Sequence, residues 1–177
     1  FLHDRIQQAA AALIGPAERE ATHAAIGRVL VARLPPAPTP QQVFEAVSQL
    51  NRSPHLLTGA DERTRAAELN LTAARHARTT TAFQSAADFA AAGLRALGGN
   101  HGGALRTPAF SLMVTGCESA LALGRLAEGA ERLEQARRLC QGRAETATCW
   151  RLQIELHTCR GESLEALVSS DFEFDVT

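Results

Sequence analysis

Gly124-Arg125-Leu126-Ala127-Glu128-Gly129 and Gly161-Glu162-Ser163-Leu164-Glu165-Ala166 follow one grammar: Gly, three residues, Glu, then a small residue. The two glycines are 37 residues apart. A weaker copy, Thr81-Ala82-Phe83-Gln84-Ser85-Ala86, begins 43 residues before Gly124. Two antiparallel helices joined by a tight turn need a residue that tolerates a left-handed backbone, hence Gly. A small side chain five positions later lets the second helix press against the first. The pattern therefore predicts turns at 81, 124 and 161, each opening the second helix of a pair.

The helical period extends outward from these turns. It predicts helices from Leu2 to Ile14, from Pro16 to about Leu34, from Thr39 or Pro40 to Leu50, from Asp61 to Thr79 and from Thr81 to Leu97. Further helices are expected from Pro108 to Leu123, Leu126 to Cys140, Glu145 to Cys159 and Ser163 to Ser169. In the second helix, Ala25, Ile26, Val29 and Leu30 form the expected buried stripe. Pro35, Pro36, Pro38 and Pro40 break the chain after it. Four glycines within Gly98–Gly103 make a flexible break, and the tail from Asp171 to Thr177 carries no helical stripe. The expected division is 1–58 for the N-terminal helices, 59–170 for the helix pairs and 171–177 for the tail.

Repeats near 34 residues with this grammar resemble tetratricopeptide repeats. In that register Trp150 takes the place of the large first-helix aromatic, and Trp150 is expected to be buried. Cys117 and Ala74 fill the small position of the first helix, and Gly93 and Ala136 the late small position of the second. The fold expected is all-α, with antiparallel helix pairs stacked as a tetratricopeptide-like right-handed solenoid. An irregular helical bundle is the plainer alternative. Alanine-rich composition suits either, because Ala favours helix and permits close approach.

The chain has 177 residues, 45% of them hydrophobic, with a formal net charge of −1. All 18 basic residues are Arg. No basic excess marks a nucleic-acid surface. Without Lys there is neither a phosphate-loop lysine nor a Schiff-base lysine. Cys117, Cys140, Cys149 and Cys159 have no zinc-ligand spacing and read as structural thiols of a reducing compartment. No signal peptide or membrane-length apolar run is found, so no membrane contact is expected and the expected location is the cytoplasm. The chain opens on Phe1, which suggests a piece of a longer protein.

A second resemblance uses the whole order of segments. Phe1-Leu2-His3-Asp4-Arg5-Ile6-Gln7-Gln8-Ala9-Ala10 resembles the end of the winged-helix region in large bacterial signal-transduction ATPases. The likeness continues at His23–Leu30, Phe44–Arg52, Ala67–Leu71 and Arg151–Thr158. It covers residues 1 to about 167 and departs at Gly98–Thr107. Proteins of that family join serine/threonine-kinase-like, nucleotide-binding, helical-repeat and sensor histidine kinase parts. The resemblance implies a relay or interaction segment of a two-component signalling protein, with neither the nucleotide site nor the kinase core in these residues.

Several residues suggest chemistry of their own. His3-Asp4 with Gln8 resembles a histidine-kinase phosphoacceptor box, giving phosphotransfer through His3 as an alternative function. A remnant winged-helix helix is its structural counterpart. Glu20 and His23 have the spacing of bundle di-metal sites, but no second copy exists, so no metal, no catalytic residue and no cofactor are expected. The register points Arg75, Arg78, Arg151 and Glu155 into a groove lined by the first helices. An Arg-lined groove suits an acidic peptide or a carboxylate, and an ordinary solvated charged face is the alternative. The expected partners are a protein, a peptide or other domains of the same chain. A second alternative is a small-ligand-sensing repeat domain of an ATPase regulator.

Overall fold

The computed structural model describes residues 15–99 and 101–161. Among them are seven α-helices, two short 3-10 turns and no strand. The helices are α1 (Pro16–Ala32), α2 (Pro40–Leu50), α3 (Ala60–Thr79), α4 (Phe83–Ala96), α5 (Arg106–Ala122), α6 (Leu126–Leu139) and α7 (Gly142–Arg160). The expected helices 2–14 and 163–169 lie outside the described residues. Each helix packs on the next in sequence, and α5 also touches both α3 and α7. The chain is all-α.

Local chemistry explains the helix ends. Pro16 and Pro40 stand at first-turn positions, where the missing N–H costs no helical bond. Thr39 and Gln42 form a reciprocal capping box at the start of α2. The expected connection from Asn51 to Gly59 contains a 3-10 turn, Pro54–Leu56. α5 starts two residues before the expected Pro108, continuing from the 3-10 turn Gly103–Leu105. α7 likewise begins at Gly142 rather than Glu145.

The turns at Thr81 and Gly124 take the expected form. α5 ends in a Schellman turn: the Arg125 N–H donates to Ala120 O at 2.9 Å and the Gly124 N–H to Leu121 O at 2.9 Å. Gly124 has φ +71°. The turn after α3 repeats both bonds, Ala82 N–H to Ala77 O at 2.8 Å and Thr81 N–H to Arg78 O at 3.0 Å. Thr81 therefore stands where Gly124 stands, at φ +59°, the single non-glycine with positive φ among the described residues. A β-branched residue in that region is strained, because its side chain crowds the adjacent carbonyl. Gly161 ends α7 at φ +73°. The segment after it, with Ala166, lies outside the described residues. Arg125 also donates to the side-chain oxygen of Gln84, so the two turns contact each other.

Close approach depends on glycine at three points. A Cβ on Gly129 would lie 2.8 Å from Leu121 Cδ2, so the small position of the turn motif is filled by the preceding helix. A Cβ on Gly27 would meet Leu50 Cδ2 at 2.5 Å, and one on Gly93 would meet Leu112 Cδ2 at 2.7 Å. Cys117, Ala74 and Ala136 are fully buried. The core runs along the array through Val43, Val47, Leu69, Leu112, Leu133 and Leu152. Asn70, also fully buried, exchanges two hydrogen bonds with Asn51 at 2.8 and 3.0 Å and donates a third to Ala66 O at 2.9 Å. That buried pair fixes the end of α2 against α3 with its polar atoms satisfied.

One expectation about burial is corrected. In α1 the buried residues are Ala24 and Gly27, while Ala25, Ile26 and Val29 are exposed. The small residues face α2 because Leu50 fills the space a side chain would need. Trp150 is largely buried, as expected, though not fully, and the Arg137 guanidinium lies 5.5 Å from its ring centroid. Leu152 and Leu156 supply the core contacts of α7, and Ile154 points outward. The indole thus sits at the rim, with a cation over its face.

Two stability outcomes follow. Thr81→Gly is expected to raise stability by up to about 1 kcal/mol through relief of left-handed strain, partly offset by the freer unfolded chain. Urea titration should show a higher midpoint, and an unchanged or lower one contradicts the strain. Gly93→Val should lower stability by about 1–3 kcal/mol through overpacking against Leu112, read in the same titration.

Candidate interaction face

α3, α5 and α7, the helices expected to open successive pairs, lie side by side, and their charged residues meet across the helix boundaries. Glu118 on α5 is the centre. Its side chain, 14% exposed, forms an ion pair with Arg78 on α3 at 3.3 Å and accepts a hydrogen bond from Arg151 on α7 at 2.5 Å. Arg151 also reaches Glu155 one turn along α7, at 3.2 Å. Three of the four expected groove residues, Arg78, Arg151 and Glu155, are therefore joined in one network. Arg75 lies one turn from Arg78 on α3, is exposed, and has no ion pair among the described residues. Glu118 escaped the sequence reading. Its signal was its place beside Cys117, the small first-helix residue, which puts the next side chain at the boundary with the neighbouring helices.

The network alternates in sign along the face, and much of the arginine charge is already neutralised. The face carries mixed charge, and Arg75 is exposed on it without an ion pair among the described residues. Ion pairs between exposed groups contribute little to stability. Glu118 is better placed, because it is mostly buried, accepts a hydrogen bond from Arg151 and forms an ion pair with Arg78.

A second tie holds the same helices at their starts. Arg106, at the start of α5, donates to Leu139 O at 3.0 Å and to Glu145 Oε2 at 2.7 Å. Glu145 also accepts from the Gln141 N–H at 2.7 Å, capping α7. One arginine thus closes the end of α6 and the beginning of α7. The Arg106 hydrogen bond and the bond from Gln141 hold the Glu145 carboxyl below its usual range, against the opposing effect of burial.

The other candidate residues fall elsewhere. Glu20 pairs with His55 at 3.2 Å, and His23 Nδ1 bonds Gln49 at 2.7 Å, so the two do not converge on a shared site. Among the described residues no cluster of His, Cys, Asp or Glu could hold a metal ion. His3, Asp4 and Gln8 lie outside the described residues. All four cysteines are free thiols. Burial, with Glu118 and Glu155 nearby, pushes the Cys117 thiol up to about 12. Burial and the neighbouring Cys140 push Cys149 up to about 11. Both are protonated at neutral pH and behave as small core residues. No described helix is long and apolar enough to cross a membrane.

No known family, curated protein or solved structure matches the chain.

Glu118→Ala should lower stability by roughly 1 kcal/mol, leaving two arginines side by side. Thermal unfolding of this variant beside Arg78→Ala should show the larger loss for Glu118. Equal, negligible losses would contradict its central place. The Glu145 carboxyl gives a pH signature. Its folded pKa is lowered, so its contribution is full above the unfolded value, near 4.3, and is lost as pH falls through the folded value. Arg106→Gln should therefore narrow the stability gap to wild type in urea titrations as the pH is taken from 6 towards 3. A gap independent of pH would contradict the assignment.

Proposed function

We propose that this chain is a non-catalytic helical-repeat segment that works by contact. Its helix pairs are taken as stacked in a tetratricopeptide-like, right-handed solenoid. It belongs on this reading to a multidomain bacterial signalling protein of the sensor-kinase and ATPase kind. The observation that carries the reading is the charged face across three first helices, centred on Glu118, with Arg75 and Arg78 at one edge and Arg151 and Glu155 at the other. The recurring Schellman turns at Thr81 and Gly124 support the repeat. A relay segment needs a rigid array that presents one continuous surface, and consecutive packed helices supply that. The partner is another domain of the same protein or a peptide that meets the mixed-charge face.

The test compares hydrogen exchange in the isolated chain with exchange in the longer protein bearing the ATPase and kinase parts. Slower exchange is expected on α3, α5 and α7, and Arg75→Glu should reverse part of it without altering the isolated chain. Equal exchange in both contexts would overturn the reading. Phosphotransfer through His3 is tested separately. The purified chain is incubated with labelled ATP and magnesium, and no label is expected, since the sequence has no phosphate cradle and no lysine. Label on His3 that His3→Gln removes would replace contact with catalysis.

A further inference from the structure

A cavity of about 480 Å³ lies between α4, α5 and α6, on a different side of α5 from the Glu118 network. Met113 faces the cavity and Glu118 the network. Five residues separate them on the helix, which places them roughly 140° apart. The volume falls within the usual range of small-molecule sites. Its floor is apolar, formed by Leu94 of α4, Met113 of α5 and Leu139 of α6, with Met113 only 3% exposed.

Its polar lining is cationic. Arg95 enters from α4, and Arg132 and Arg138 from α6, with no carboxylate in the lining. Arg95 has no ion pair among the described residues. Arg132 donates to the neutral amide of Gln135 at 3.1 Å and has no ion pair among the described residues. Arg138 meets Glu134 at 3.4 Å, but both side chains are more than half exposed, and such a pair exchanges readily with solvent or ligand. The protein as a whole carries a net charge of −1. Three arginines lining one open concavity are therefore a local feature, and a concave wall concentrates their field.

We propose that this cavity binds a small organic phosphate monoester, with the phosphate among Arg95, Arg132 and Arg138 and an apolar body on the floor. A carboxylate offers two oxygens in one plane, which a single guanidinium fork satisfies. A phosphate monoester offers three acceptor oxygens and nearly two negative charges, matching cations that approach from two facing helices. The apolar floor adds what inorganic phosphate cannot use. Bound there, the ligand would bridge α4 to α6, the second helices of successive pairs, and stiffen the array from the side opposite the charged face. The inference stands apart from the contact reading, since neither uses the other's residues.

Met113 is the single methionine of the chain, so its labelled methyl group reports on the cavity floor in one NMR signal. The 177-residue chain is titrated with phenyl phosphate, inorganic phosphate and phenol. A saturable shift is expected with phenyl phosphate, and at least about tenfold weaker binding with either fragment. Arg132→Gln and Arg95→Gln should each weaken phenyl phosphate about tenfold, the loss of a charge-assisted hydrogen bond. Arg132→Lys, which keeps the charge but not the fork, should weaken it less. Arg143→Gln, exposed on α7 and outside the cavity, should bind as wild type. Helical circular dichroism of each variant establishes that it is folded. The proposal is overturned by absence of a saturable shift, by inorganic phosphate or phenol binding as tightly, or by Arg143→Gln weakening binding as much as Arg132→Gln.

Discussion

The packing of this array depends on how closely the helices can approach, and Gly93 sets that limit at its centre. The α4 backbone passes so near α5 that a side chain at Gly93 would enter the space of Leu112 and come within 3.2 Å of Asn70 Cβ on α3. Three helices meet at that point. Leu112 is fully buried because the glycine leaves room for it, and Asn70 is fully buried because Asn51 and Ala66 satisfy its amide. An apolar contact and a polar lock thus share one site. Close packing carries the stability, and the asparagine pair fixes which surfaces come together.

The same economy recurs along the chain. Gly27 against Leu50 and Gly129 against Leu121 are further sockets in which a glycine receives a leucine. A core built from alanine and leucine, with few aromatics, has little volume to spare, so the helices must come together closely for dispersion contacts to be made. The tight turns follow from that closeness. A chain that leaves α5 and re-enters α6 within three residues needs the left-handed step at Gly124, and the α3-to-α4 turn imposes the same step on Thr81. Arg106 then completes the frame, since its guanidinium holds the end of α6 and the capping carboxylate of α7 together.

That frame leaves α5 with two working sides. Glu118 gathers charges from α3 and α7, while Met113 floors a cavity whose rim is contributed by α4 and α6. Helices in contact on several sides can place a charged face and a pocket within a few residues of each other on one strip of sequence.

The helical class, the turns at Thr81 and Gly124 and the small positions are legible in the order of residues alone. Gly124 and Thr81 were legible because a left-handed turn and a small residue five places on are local demands of the backbone. Cys117, Ala74, Gly93 and Ala136 were legible because their size and spacing repeat. Arg78, Arg151 and Glu155 could be placed on one face by period alone. Tertiary structure decided what those faces meet. Ala25, Ile26 and Val29 form as good a stripe as Ala24 and Gly27, and only the position of Leu50 selects the small pair. On α7, Trp150 is largely buried, but it is Leu152 and Leu156 that reach full burial in the core. Glu118 meets Arg78 and Arg151 across 40 and 33 positions of sequence, and Arg95 lies 37 and 43 positions before Arg132 and Arg138, with which it lines the cavity. Periodicity fixes the angle of a side chain about its own helix, but the partner across the gap depends on how the helices settle against one another, and that is set by packing distant in sequence.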